Sequence, residues 1–118
     1  IKIIFLSLPL FSLSVFLELI FKNNYNRHLS GAHTHLYTEK SINWLIKKYK
    51  FKKISEWWFG MDFYDLFRNI EINLKKENVS DIFLKKLIKL SKNINNDIQY
   101  QIDKKKLSSE VHIVLKKG

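Results

Sequence analysis

The stretch Gly31 to Asp62, GAHTHLYTEKSINWLIKKYKFKKISEWWFGMD, decides the fold, because its apolar spacing changes period partway along. Ile42, Leu45, Ile46 and Tyr49 recur at i, i+3, i+4 and i+7, which predicts a helix from Thr38 to Tyr49. Thr38 is its N-cap, and Glu39 favours the positive end of the helix. Lys52 to Phe59 then predicts a strand that stops at Gly60. His33 and His35 lie in the loop before the helix. With another apolar strand upstream, this helix and strand read as part of an α/β sheet.

Upstream, residues 3–21 read IIFLSLPLFSLSVFLELIF, a run long enough to span a bilayer. Ser7 and Pro9 divide it into a strand-like IKIIFLSL and a helix-like FSLSVFLELIFK, and Glu18 would sit inside the membrane, so the division is the expected outcome. Only Lys2 precedes the run and no small-residue cleavage site follows, which argues against a signal peptide. NNYNRHLS, residues 23–30, reads as a polar loop with Arg27 and His28 solvated. Trp57 and Trp58 alternate across the strand, so both faces of the sheet are expected to be covered.

Downstream, Asp62 can cap a helix carrying Phe63, Leu66, Phe67, Ile70 and Leu74. Ser80 can cap another carrying Phe83, Leu87, Leu90 and Ile94, and a short polar third is expected from about Asp97 to Lys106. Glu110 to Lys116 alternates, with Val111, Ile113 and Leu115 on one face and His112, Val114 and Lys116 on the other. It closes the sheet.

The chain's 118 residues, 46% hydrophobic, suit one small domain or part of one. There is no cysteine, which removes disulfides, thiolate metal sites and a cysteine nucleophile; cytoplasm is the default compartment. The formal charge of +10, from 21 basic and 11 acidic residues, invites a nucleic-acid or anionic-membrane partner. Most of those cations are lysines spaced along helices, such as Lys85, Lys86, Lys89 and Lys92, and solvated helix faces account for them without a partner.

HLYTEKSINWLIKKYKFKKISEWW resembles the C-terminal part of class I S-adenosylmethionine-dependent methyltransferases, where a histidine-bearing loop opens a helix followed by K-x-x-F and a strand. SSEVHIVLKKG, after a helical insert, resembles their closing strand, particularly in bacterial enzymes encoded with surface-glycan genes. The resemblance implies an α/β fold, the C-terminal half of a Rossmann-like sheet. Its three strands pair in the order first, closing, middle, with the last antiparallel and a helical insertion over about 62–106. Residues 1–118 would then be the substrate-side half of a domain. The cofactor S-adenosylmethionine would be held mainly by an N-terminal half that this sequence lacks, since only three glycines are present and none forms a Gly-x-Gly turn. The reaction implied is methyl transfer to a small, sugar-derived acceptor, with neither nucleic acid nor membrane as partner. The chain departs from relatives at Glu110, where they often carry histidine.

On that topology the ends of the first two strands and the start of the last meet at one rim. His33 and His35 are the catalytic candidates, because transfer to a hydroxyl or amine needs a proton acceptor. Pro9, Tyr37, Trp58, Asp62 and Ser109 are candidate acceptor contacts. Each has a plainer reading: the histidines pack the loop, one tryptophan is core, Asp62 caps a helix, and Ser108 and Ser109 form a turn. His-x-His also suits a metal, but with no clear third ligand beyond Asp62, Glu110 or His112 none is assigned. The rival reading is a small basic membrane-associated or nucleic-acid-binding protein.

Overall fold

A computed structural model describes residues 2–117 apart from 23, 25, 26 and 30–32. The elements are β1 (Lys2–Pro9), α1 (Leu13–Ile20), α2 (Glu39–Lys48), β2 (Phe51–Phe59), α3 (Asp62–Lys76), α4 (Asp81–Lys104) and β3 (Glu110–Lys117). The N-terminal apolar run is divided at Pro9 as its sequence predicts. Among the described residues no helix is long and apolar enough to cross a membrane.

The chain is mixed α/β with a three-stranded sheet in the order β1-β3-β2. The closing strand β3 runs antiparallel to both neighbours, from Pro9↔Glu110↔Phe59 at one end to Lys2↔Lys117↔Phe51 at the other. One crossover, from β1 to β2, leaves these two strands parallel to each other on either side of a strand that runs the opposite way. That is the expected order and direction. A bulge between Lys53 and Ser55 restores the alternation, so that Trp58 faces the same side as Val111 and Trp57 the same side as His112.

One face of the sheet is covered. Leu10, Ile42, Trp58, Val111, Ile113 and Leu115 form the buried cluster, with Ile4, Leu6, Leu8 and Ile46 packed around it. The covering helix α2 starts in a capping box: Ser41 N–H donates to Thr38 Oγ1 at 3.1 Å and Thr38 N–H donates to Ser41 Oγ at 2.9 Å. The second face is a correction. Trp57 is 65% exposed and Phe5 62%, because no helix among the described residues lies over them. Their rings instead pack edge-on around His112, with Phe59 completing the group.

The insertion holds two helices, not three. α4 runs unbroken through the Asn-rich segment because Ile94, Ile98 and Ile102 keep a half-buried stripe at i, i+4, i+8 past the polar residues. The face it turns inward also differs from expectation, since Leu84 is buried whereas Phe83 and Leu90 are exposed. α3 and α4 pack on each other, α1 packs on α3, and α4 reaches the sheet at β2.

Candidate functional site

The rim predicted at the carboxyl ends of β1 and β2 is formed by backbone hydrogen bonds. Leu10 N–H donates to Ser109 O at 2.8 Å, and Tyr37 N–H donates to Pro9 O at 2.9 Å. Tyr37 thus returns the His33–Tyr37 segment alongside the end of β1, in a parallel bridge with Leu10. Pro9, Tyr37, Asp62 and Ser109 converge here although they lie far apart in sequence.

The interior of the rim is closed by polar contacts. Asp62 has no exposed surface, and its carboxylate accepts from Ser14 Oγ (3.0 Å), Gln99 Nε2 (3.2 Å) and Ser109 N–H (3.1 Å). It occupies the first turn of α3, where a negative charge is favoured, while the capping position itself belongs to Met61. Gln99 Oε1 accepts from Phe63 N–H, and Ser108 Oγ donates to Asp103 at 2.6 Å. A Cβ on Gly60 would fall 2.6 Å from Asp62 Oδ2 and closer still to Ser109 Oγ, so the glycine is there for close packing. With Trp58 in the core and Asp62 and Ser109 fully buried, these three side chains hold the rim together and offer an acceptor no surface. Pro9 and Tyr37 keep partial exposure.

A second buried cluster adjoins the first one turn along α3. Asp65 accepts from Arg27 Nη2 at 2.6 Å and Nε at 3.2 Å, a two-point fork. His28, read from the sequence as solvated, is only 2% exposed and stands 3.7 Å from the same carboxylate. Arg27 Nη2 donates to His28 Nε2 at 2.8 Å, so that nitrogen is the acceptor and Nδ1 carries the proton. Burial raises the Asp65 carboxyl. The Arg27 fork outweighs burial and holds it below the ordinary carboxylate range, while His28, whose Nε2 accepts from Arg27, has no proton there to give the carboxylate. Glu18, also buried, accepts the backbone N–H groups of Arg27 (2.6 Å), His28 and Leu29 (2.8 Å), tying the polar loop to α1. The middle of that loop, including Gly31, lies outside the described residues.

The sequence reading missed this cluster, yet a signal for it is present. Ser14 and Glu18 on α1, and Asp62, Asp65 and Asn69 on α3, recur at helical spacing, and all five are buried. The two helices meet through their polar stripes. Val15 and Leu17 of α1 are buried beside these polar groups, while Phe16, Leu19 and Ile20 face outward.

The catalytic candidates are exposed. The His33 ring lies nearly parallel to that of His28, centroids 6.5 Å apart, and His35 Nδ1 pairs with Thr34 Oγ1 at 2.9 Å. Among the described residues no three His, Cys, Asp or Glu side chains cluster as a metal would require. Among the described residues, hollows lie elsewhere: a groove of about 170 Å³ between α3 and α4, lined by Tyr64, Phe67, Leu87 and Ile88, and a hollow of about 280 Å³ on the open sheet face beside Trp57 and His112. No residue predicted for the site lines either one. No family model matches this chain, and neither the curated proteins nor the solved structures yield a similar one.

Proposed function

We propose that this chain is the acceptor-side half of a class I methyltransferase. The observation that carries the reading is the strand order β1-β3-β2 with the closing strand antiparallel, which brings both parallel strand ends and the start of β3 to one rim. The residue resemblance called for that order. Ligands of open α/β sheets bind at such a rim.

The described residues do not fit S-adenosylmethionine. The one glycine at the rim has its Cβ position filled by Ser109 and Asp62, so the backbone cannot approach a cofactor there. On this reading the donor is held by chain outside these residues. What the present residues contribute is position: Asp62, Gln99 and Ser109 fix the rim, and Pro9 and Tyr37 face the acceptor. Of the two histidines His33 is the better placed, because its ring lies nearly parallel to that of His28, which Arg27 holds.

The test is to express the reading frame extended upstream of Ile1 and titrate it with S-adenosylmethionine by calorimetry. The extended protein should bind, and its added sequence should carry an acidic residue followed by a Gly-x-Gly turn after a strand. With labelled donor and a panel of small sugar acceptors, His33→Ala should lower turnover by about a hundredfold or more, and His35→Ala much less. An extended protein without that turn, or one that fails to bind the donor, overturns the proposal.

A further inference from the structure

We infer that two copies of this chain pair through the free edge of β1, antiparallel about a two-fold axis at Phe5, joining their three-stranded sheets into one. Leu10 N–H bonds Ser109 O across the ladder with β3, so the even-numbered residues of β1 address β3. Ile3, Phe5 and Ser7 present their backbone groups to the free edge. Among the described elements only β3 packs on β1. The devices that protect an exposed edge are missing from β1: its ladder with β3 has no bulge, the one proline stands at its end, and its one charge is Lys2. The other edge strand, β2, has both a bulge and the adjacent lysines Lys52 and Lys53.

A second copy fits because β1 is complementary to itself about Phe5. In that register Phe5 faces its counterpart and Ile3 faces Ser7 of the second copy, and each pair exchanges two N–H···O bonds. Ile4 falls opposite Leu6 on the covered face, where both are only half-buried in one copy. Lys2 falls opposite Leu8, so no like charges meet. Residues directly opposite share a face, so the exposed ring of Phe5, edge-on to His112, meets its counterpart and links the aromatic groups of the two open faces. Sliding the register two residues toward the end of the strand would set Ile3 against Pro9, which has no N–H to give. The arrangement closes on itself, since the edges it leaves are those of β2. The inference stands apart from the methyltransferase reading; a strand from sequence upstream of Ile1 is the rival occupant of the edge, and the test separates the two.

The test is sedimentation velocity of the 118-residue chain, joined to cross-linking through single introduced cysteines, since the sequence has none of its own. The wild type should show a monomer–dimer equilibrium. Phe5→Lys opposes two lysines at the axis and should weaken it about tenfold or more. Ser7→Pro should weaken it clearly with the thermal midpoint retained, because the N–H it removes faces away from β3. Under mild oxidation Phe5→Cys should give a covalent dimer, with the two Cα atoms about 5.5 Å apart. Ile3→Cys, about 14 Å from its counterpart along the strand, and Trp57→Cys on β2 should not. Four results overturn the inference: a monomer at every concentration, wild-type association by Phe5→Lys and Ser7→Pro, cross-linking through Ile3→Cys or Trp57→Cys in place of Phe5→Cys, or an upstream-extended protein whose Phe5→Cys form does not cross-link.

Discussion

Asp62, Asp65 and Gly60 show how much of the molecule is decided by single positions. Gly60→Ala places a methyl group against Ser109 and Asp62, including the Ser109 backbone nitrogen at 3.0 Å, and the rim has to move to admit it. We expect a loss of about 1–3 kcal/mol in urea denaturation, the usual cost of overpacking. Asp65 makes stability depend on pH. Its folded-state carboxyl lies below the ordinary aspartate range, so its contribution is present above that range and is lost as the pH falls through the depressed value. Below about pH 4 the wild-type protein should therefore lose stability more steeply than Asp65→Asn, as followed by denaturation midpoints between pH 2.5 and 6. These roles were only partly legible. Asp62 and Ser109 could be assigned to the rim from strand ends alone. Their burial could not, because it depends on Ser14 and Gln99 arriving from two other helices. His28 beside Arg27 in an Asn-rich loop has the composition of a solvated turn, and only Glu18 and Asp65 in space pull it inside.

At the scale of elements, helix endings are where local chemistry departs most from the residue types present. Lys50, Asn78 and Lys106 follow α2, α3 and α4 with φ of 55°, 57° and 56°, the left-handed region that glycine fills without cost. At the ends of α3 and α4 the reversal is completed by Val79 N–H to Leu74 O and Leu107 N–H to Ile102 O. Lys106 gains from its position, because its ammonium reaches both Glu56 and Glu39 and its pKa is raised. Burial raises the Glu56 carboxyl, but bonds from Lys106 and Lys53 more than offset this and hold it at about 2. Lys50 has no ion pair among the described residues, so Lys50→Gly should stabilise the protein by about 0.5–1 kcal/mol, read as a rise in the urea midpoint at unchanged slope. The periods of the apolar residues placed β1, α1, α2, β2 and β3 to within about two residues at most ends. Periodicity failed where it was shared: Phe83 and Leu90 suit one stripe of α4 as well as Leu84 and Ile88 suit another, and packing on α3 chose the second, with Leu87 at its edge.

The whole molecule is elongated, with a Cα radius of gyration of 17.4 Å and extents of 60 × 27 × 18 Å. A compact domain of this length would measure about 13–14 Å. The excess comes from helices set beside the sheet instead of on its second face. That face carries Ile3, Phe5 and Trp57 into solvent, more contiguous apolar surface than a monomer comfortably presents. The chain should therefore associate as its concentration rises in sedimentation velocity, and Phe5→Lys with Trp57→Lys should suppress this with little change in thermal midpoint. Alternation along β2 had implied cover on both sides, since a strand with tryptophan facing each way is ordinarily central in a layered domain. Which side is covered is decided by the path of the chain between strands, and α2 can lie over only one.

The Tyr37 bridge to Pro9 and Phe11 sets a ruler on the outer margin of β1. Alternation turns the N–H and C=O groups of Ile3, Phe5 and Ser7 toward that margin, while the next pair of sites is already taken by Tyr37. A polypeptide laid along this side has three rungs to grip and must turn away at Leu8. The same stop that brings the histidine segment to the strand's end thus limits how far the sheet can grow.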